Sequence, residues 1–201
     1  MKKLHLGCGH DYMQGYINLD RSHDVKADVY FNLETCQRKE LPFDDNTFDT
    51  ILAYHLLEHI HNILPLMQEL WRVAAPGCLF LVRVPYGASS SAFDDPTHIR
   101  QLFPLSFFYF GQPAYHRADY GYFGDWKVEE IGLTVTKQLA TKLQEAQIDL
   151  TFAINHLHNI VHEMLVALSA VKPARERNLE LDTFPTPVVQ ILNEDGTLPI
   201  N

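Results

Sequence analysis

Strand-like and helix-like stretches alternate along this chain, and that alternation constrains its fold more than any other feature. Lys3–Leu6 runs straight into Gly7-Cys8-Gly9, Tyr16–Asp20 ends on an acid, and Ala27–Leu33 carries Val29, Tyr30 and Phe31. Phe48–Tyr54 (FDTILAY) and Cys78–Val84 (CLFLVRV) are strongly apolar, Trp126–Val135 resumes strand character, and Glu163–Val171 reads as a last strand with a helix as the alternative. Between them Leu56, Leu57, Ile60, Ile63, Leu64, Met67, Leu70 and Trp71 recur at helical spacing, with Pro65 dividing the run and Pro76-Gly77 ending it. A second helical stretch is expected from about Leu139 to Val161. The pattern predicts an α/β sheet flanked by helices rather than an all-α or all-β body.

The glycine turn narrows the chemistry. A strand that turns through Gly7-Cys8-Gly9 brings backbone amides to the sheet's carboxyl edge, and Asp20, ending the next strand, stands beside it. A carboxylate there can accept hydrogen bonds from both hydroxyls of a ribose. A dinucleotide site wants G-x-G-x-x-G, an acid about 20 residues on and a helix aimed at the pyrophosphate. Here Tyr12 stands where the third glycine would fall, and only His10 to Gly15 separate Gly9 from Tyr16, too few for a crossover helix. A nicotinamide oxidoreductase is therefore disfavoured.

The segments LHLGCG (4–9), GYINLD (15–20), LPFDDNTFDTILAYHLLEHI (41–60), ELWRVAAPGCLFLVRVPY (69–86) and, more weakly, DPTHIRQLF (95–103) occur in order over residues 1 to about 172. In these the chain resembles the class I S-adenosylmethionine-dependent methyltransferases, in particular small members of the type 11-like group. The resemblance implies a Rossmann-like seven-stranded sheet of order 3-2-1-4-5-7-6 with the last strand antiparallel. It implies S-adenosylmethionine as cofactor, which carries a ribose and no phosphate. By the same resemblance Gly7, Cys8 and Gly9 face the methionine part, Asp20 holds the ribose, Asn32 and Leu33 frame the adenine, and Ala53, Tyr54 and His55 lie near the reactive methyl. His5 stands where typical members carry an acid, Asp11 where a third glycine is usual, and Asn32 where an acid is common. The altered turn motivates a second reading, a cofactor-binding regulator or partner subunit without turnover.

The long stretch 85–124 reads as a lid or acceptor loop within a domain spanning 1–173, followed by a tail at 174–201. In Asp94-Asp95-Pro96-Thr97-His98-Ile99-Arg100, His98 is the candidate base, oriented by Asp95, with His55 next. Tyr86, Arg100 and Tyr54 are candidates for shaping the acceptor pocket. Phe103, Phe107, Phe108, Tyr109 and Phe110, with Tyr115, Tyr120, Tyr122 and Phe123, could wall that pocket or cover a second subunit, though core packing is expected for at least half.

His55-Leu56-Leu57-Glu58-His59 formally matches the H-x-x-E-H zinc pattern, and His156, His158 and His162 form a second cluster. Both read as chance among 11 histidines, with His59 in helix packing, and no metal is expected. Sixteen basic against 25 acidic side chains, a formal charge of −9, disfavour nucleic acid and anionic membrane as partners. The acceptor is expected to be a small metabolite, a glycan or a protein side chain. Three cysteines without a CxxC pair, a start lacking a signal-like apolar run and the absence of a long apolar span suggest a reducing, cytoplasmic setting.

Overall fold

The structure, a computed structural model, describes residues 1–112, 120–176 and 184–193. Strands β1 (Lys3–Leu6), β2 (Ile17–Asp20), β3 (Val29–Tyr30), β4 (Phe48–Tyr54), β5 (Ala74–Pro85), β6 (Trp126–Thr136), β7 (Glu163–Ala170) and β8 (Val188–Leu192) form one sheet of order β3-β2-β1-β4-β5-β7-β6-β8. The expected order is there, with β7 antiparallel to both β5 and β6. An eighth strand extends it: β8, within the stretch the sequence reads as a tail, pairs parallel with β6 from Gly132–Val188 to Thr136–Leu192.

Burial follows position in the sheet. Leu4, His5 and Leu6 of β1 and Ile51, Leu52 and Ala53 of β4 are all buried, as parallel strands covered on both faces must be. Strand β5 alternates instead, with Cys78, Phe80, Val82 and Val84 in the core and Leu79 and Arg83 exposed. No α-helix lies between β1 and β2 or between β2 and β3, as the short spacer at His10–Gly15 requires.

The helical stretch after β4 is shorter than its spacing suggests. His55 turns the chain at φ 50°, Leu57–His59 makes a single 3-10 turn, and α1 begins only at Ile63 and ends at Val73. Pro65 therefore sits in the first turn of α1, where a missing N–H forfeits no intrahelical bond. The helix also stops before Pro76-Gly77, which falls within β5, with Gly77 at φ 75°. Leu66, Met67, Leu70 and Val73 bury the inner face of α1. Burying those four alkyl side chains stabilises by roughly 1.5–3 kcal/mol each before entropy is counted.

Two short helices, α2 (Ser91–Asp94) and α3 (Pro104–Phe108), lie within 85–112, where Tyr86 bridges to Leu102. The second helical stretch is two helices, α4 (Lys137–Glu145) and α5 (Leu150–His156), capped by Thr136 and Asp149. They are separated because Gln147 adopts φ 55°. Buried Asp125 binds Arg175 in a two-pronged pair of 2.8 and 2.7 Å and accepts from the Gln112 amide at 3.1 Å, tying the segment before β6 to the chain after β7.

Among the loop aromatics Phe107, Phe110 and Tyr122 are buried, while Phe103, Tyr109, Tyr120 and Phe123 are exposed. Tyr115 lies outside the described residues. No helix among the described residues is long and apolar enough to cross a membrane.

Candidate functional site

A cleft of about 640 Å³ opens where β1, β2 and β4 end, within the size range of small-molecule sites. Its walls include Gly7, Asp20, Asn32 and Leu33, together with Phe31, Leu56, His59 and Thr97. Gly7 (φ 59°) and Gly9 (φ 51°) both take the left-handed conformation that makes this turn possible. A side chain on Gly7 would meet Leu56 Cδ1 at 2.8 Å. Asp20 closes the turn from the side: Gly9 N–H donates to its Oδ2 at 2.9 Å and Ser22 N–H to its Oδ1 at 2.8 Å. Each carboxylate oxygen keeps a lone pair for a further donor. Leu33 is buried behind Asn32, whose side chain caps the 3-10 turn Leu33–Thr35 by accepting from Glu34 N–H. Glu34 in turn accepts from the amides of His61 and Asn62. Burial alone would raise the Glu34 carboxyl, but these bonds hold it below its ordinary range.

Other expected cofactor contacts stand outside the cleft walls. His5 is buried and faces Asn18 Oδ1 at 3.2 Å, and Asn18 also binds both the Met13 amide and the Met13 carbonyl. That polar hub shapes the first loop. Cys8 is buried, its thiol directed at the Lys26 carbonyl and raised in pKa by burial first and then by Asp20. Ala53 is fully buried in the core. Tyr54 lines a separate depression of about 310 Å³ with Leu81, Leu165 and Gln190.

The flank of the cleft is polar. His55 Nε2 lies 3.1 Å from Glu163 Oε1 and its Nδ1 3.5 Å from Glu58 Oε1. The Glu163 bond, then Glu58, lifts the His55 pKa from 6.5 to about 9. Burial pushes the Glu163 carboxyl up, but His55 and Arg83 outweigh it and bring it to about 2. His98, almost wholly buried, places Nε2 3.9 Å from both Glu58 Oε1 and Asp95 Oδ2 and packs edge-on against His59. Asp95 Oδ1 accepts from the Thr97 amide and hydroxyl, each at 2.7 Å. Sequence spacing therefore does bring His98 and Asp95 together, and it adds Glu58 and His59.

Arg100 is committed to structure, its guanidinium bonded to the carbonyls of Ile60 and His61. Tyr86 is half-buried against Phe103. His59 is not a helix-packing residue; the 3-10 turn sets it on the cleft wall. The one available signal was its place directly after Glu58 in the HLLEH run. His156 bonds its own helix at the Phe152 carbonyl, and His158 lies against Phe93.

Residues 4–82 match the family model described as a methyltransferase domain. The chain is 33% identical over 97 residues to a sterol 4-C-methyltransferase of Caenorhabditis elegans, a match covering 48% of this chain and 26% of that protein. The chain thus spans about a quarter of the length of that curated relative. Among solved structures it is similar to a SAM-dependent methyltransferase from Archaeoglobus fulgidus, with TM-score 0.59, 14% identity and coverage of 84% of this chain and 85% of that one. It is also similar to the [4+2]-cyclase SpnF, with TM-score 0.50, 14% identity and coverage of 85% and 74%. Over residues 4–82 the chain is thus similar to the methyltransferase-domain family, and its fold is that of the solved methyltransferase structures.

Proposed function

We propose that the chain transfers a methyl group from S-adenosylmethionine to a small-molecule acceptor, a metabolite or glycan. The observation that carries this reading is the cleft itself, in which Gly7, Asp20, Asn32 and Leu33 meet at the carboxyl ends of adjacent parallel strands. In it Asp20 would accept from the ribose hydroxyls, Leu33 and Phe31 would hold the adenine by apolar contact, and Asn32 would bind its edge. The Gly7–Gly9 turn would face the methionine part. The missing helix after Gly9 leaves no helix N-terminus for a pyrophosphate, which favours this cofactor over a dinucleotide.

Methyl transfer is a single displacement, so positioning and exclusion of water supply most of the rate. The proton of an oxygen or nitrogen acceptor would leave toward the group formed by Glu58, His59 and His98, oriented by Asp95. His55, held protonated up to about pH 9, supplies positive charge and is a poor base at neutral pH. Tyr86 would border the acceptor, whereas Arg100 braces the loop. A reducing, cytoplasmic setting fits three free, buried cysteines, of which Cys36 and Cys78 are pushed up to about 12 by burial.

Titration calorimetry of S-adenosylmethionine and its demethylated product tests the reading. Wild type should bind both, and Asp20→Ala should bind at least tenfold more weakly, about 1.4 kcal/mol. Asp20→Asn, which keeps one acceptor for the turn, should show the same loss while remaining folded. No binding by folded wild type would sink the proposal. Binding without turnover against any acceptor class would instead favour a regulatory or partner subunit.

A further inference from the structure

We propose that Glu58, His59 and His98 form a binding site for a divalent transition-metal cation on the flank of the cleft. The first observation is Glu58. Its side chain is only 3% exposed, yet neither carboxylate oxygen has a hydrogen-bond partner. His55 Nδ1 at 3.5 Å and His98 Nε2 at 3.9 Å stand at ion-pair distance from Oε1 but outside hydrogen-bond geometry, and Oε2 faces neither. A carboxylate removed from water without partners is costly, and a cation is the usual compensation. The second observation is the surrounding geometry. One ligand atom from each of Glu58, His59 and His98 lies within 4.8 Å of the others. Around a four-coordinate ion with bonds of about 2.1 Å, ligand atoms stand about 3.4 Å apart, so the group needs to close by little more than an ångström.

The tautomer of His59 supports the assignment. Thr97 Oγ1 donates to Asp95 Oδ1, so it accepts from His59 Nδ1, 2.9 Å away. Nδ1 thus carries the proton, and Nε2 keeps its lone pair for a metal. An imidazole oriented through its other nitrogen, and ultimately by a carboxylate, is the arrangement that metal-ligating histidines use. His98 Nδ1 is likewise buried without a partner. Two imidazoles and one carboxylate suit zinc, manganese, iron or cobalt; magnesium and calcium prefer all-oxygen sites. The site differs from the one the HLLEH run suggests. His55 turns away at positive φ to Glu163, and His98, some 40 residues on, takes its place.

His59 and Thr97 belong to the cleft wall, so a cation held here has its open positions toward the cofactor space. With the ion bound these three side chains are ligands rather than the proton acceptor: the cation would hold an oxygen of the acceptor and lower that hydroxyl's pKa so that its proton passes to solvent water, making an oxygen-bearing acceptor the fitting class. This role rests on the methyl-transfer reading, but the binding itself does not.

The experiment uses the full chain freed of metal by a chelator, titrated with cobalt(II) by visible absorption and with zinc(II) by calorimetry. One equivalent per chain is expected, with the intense visible bands of a four- or five-coordinate cobalt. His98→Ala and Glu58→Gln should each weaken binding at least tenfold, while His156→Ala on α5 should not change it. Thermal melts show whether the metal-free variants are folded. If Glu58→Gln is not, His98→Ala carries the test. Absence of saturable binding, tight magnesium binding in its place, or full affinity in His98→Ala overturns the proposal. Cofactor titration of the metal-free chain reads the methyl-transfer proposal separately.

Discussion

Replacing Glu163 by Gln isolates the charge cluster beside the cleft. The Glu163 carboxylate is 9% exposed and joins Arg83, at 2.7 Å through Nε, to His55 at 3.1 Å. Its pKa falls from 4.5 to about 2, and that of His55 rises from 6.5 to about 9. These are largely two views of one interaction and are counted once. A shift of that size corresponds to at most about 3 kcal/mol. His55 and Arg83 are each nearly half exposed, so solvent screening reduces it to about 1–2 kcal/mol.

The signs set the window. Glu163 is depressed, so its contribution is present above pH 4.5 and lost as pH falls toward about 2. His55 is raised, so its contribution is full below pH 6.5 and lost as pH rises through about 9. Wild type should therefore be most stable between about pH 4.5 and 6.5. Glu163→Gln should lower Tm at pH 6 by about 2–8 °C and flatten the decline above pH 7. The His55 ring, followed by NMR, should titrate at least one unit lower in the variant. An unchanged His55 midpoint, or an unchanged Tm at pH 6, would refute the reasoning.

Two further substitutions probe the frame around the site. Gly7→Ala adds a side chain at φ 59° and presses on Leu56, so it should cost about 1–2 kcal/mol and weaken cofactor binding severalfold, read by thermal melts and calorimetry. A variant with wild-type affinity would show that the turn does not touch the ligand. Arg175→Ala leaves the Asp125 carboxylate buried opposite no cation and should cost about 3 kcal/mol, or about 6–12 °C in Tm. Adding Asp125→Asn to it should recover part of that loss, and a further drop would contradict the charge explanation.

Much of the sheet was legible because its strands are locally self-declaring. FDTILAY is β4 residue for residue, and the apolar run after Gly77 is the core of β5. The last-strand reading of Glu163–Val171 agrees with β7 to within one residue. The helix after β4 was not legible in its start, because spacing alone cannot show that His55 takes positive φ and that a 3-10 turn intervenes. That same turn decides the site: it carries Glu58 inward and His59 to the cleft wall, a placement no helical projection yields. Strand β8 was hidden by Pro185 and Pro187, which mark a chain break locally but say nothing of the β6 edge that Val188–Leu192 covers. Of the residues lining the cleft, Gly7 and Asp20 were read from the glycine turn and the acid after it and Asn32 and Leu33 from the family resemblance, whereas Phe31, Leu56 and Thr97 are set by tertiary approach.

The eighth strand also bears on how this chain avoids sticking to itself. At one border of the sheet β3 pairs over only two residues, too short to recruit another chain readily. At the other, the outer edge of Gly132-Leu133-Thr134-Val135-Thr136 is an uncharged ribbon, β-branched over its last three residues, of the kind that seeds fibrous aggregates. Gln190 lies directly over Gly132, where an added Cβ would meet its side-chain amide at 2.8 Å, so the covering strand is closely seated. A proteolytic nick before Val188 would strip that cover while leaving the cofactor cleft intact, and the first symptom of damage would be insolubility rather than lost chemistry.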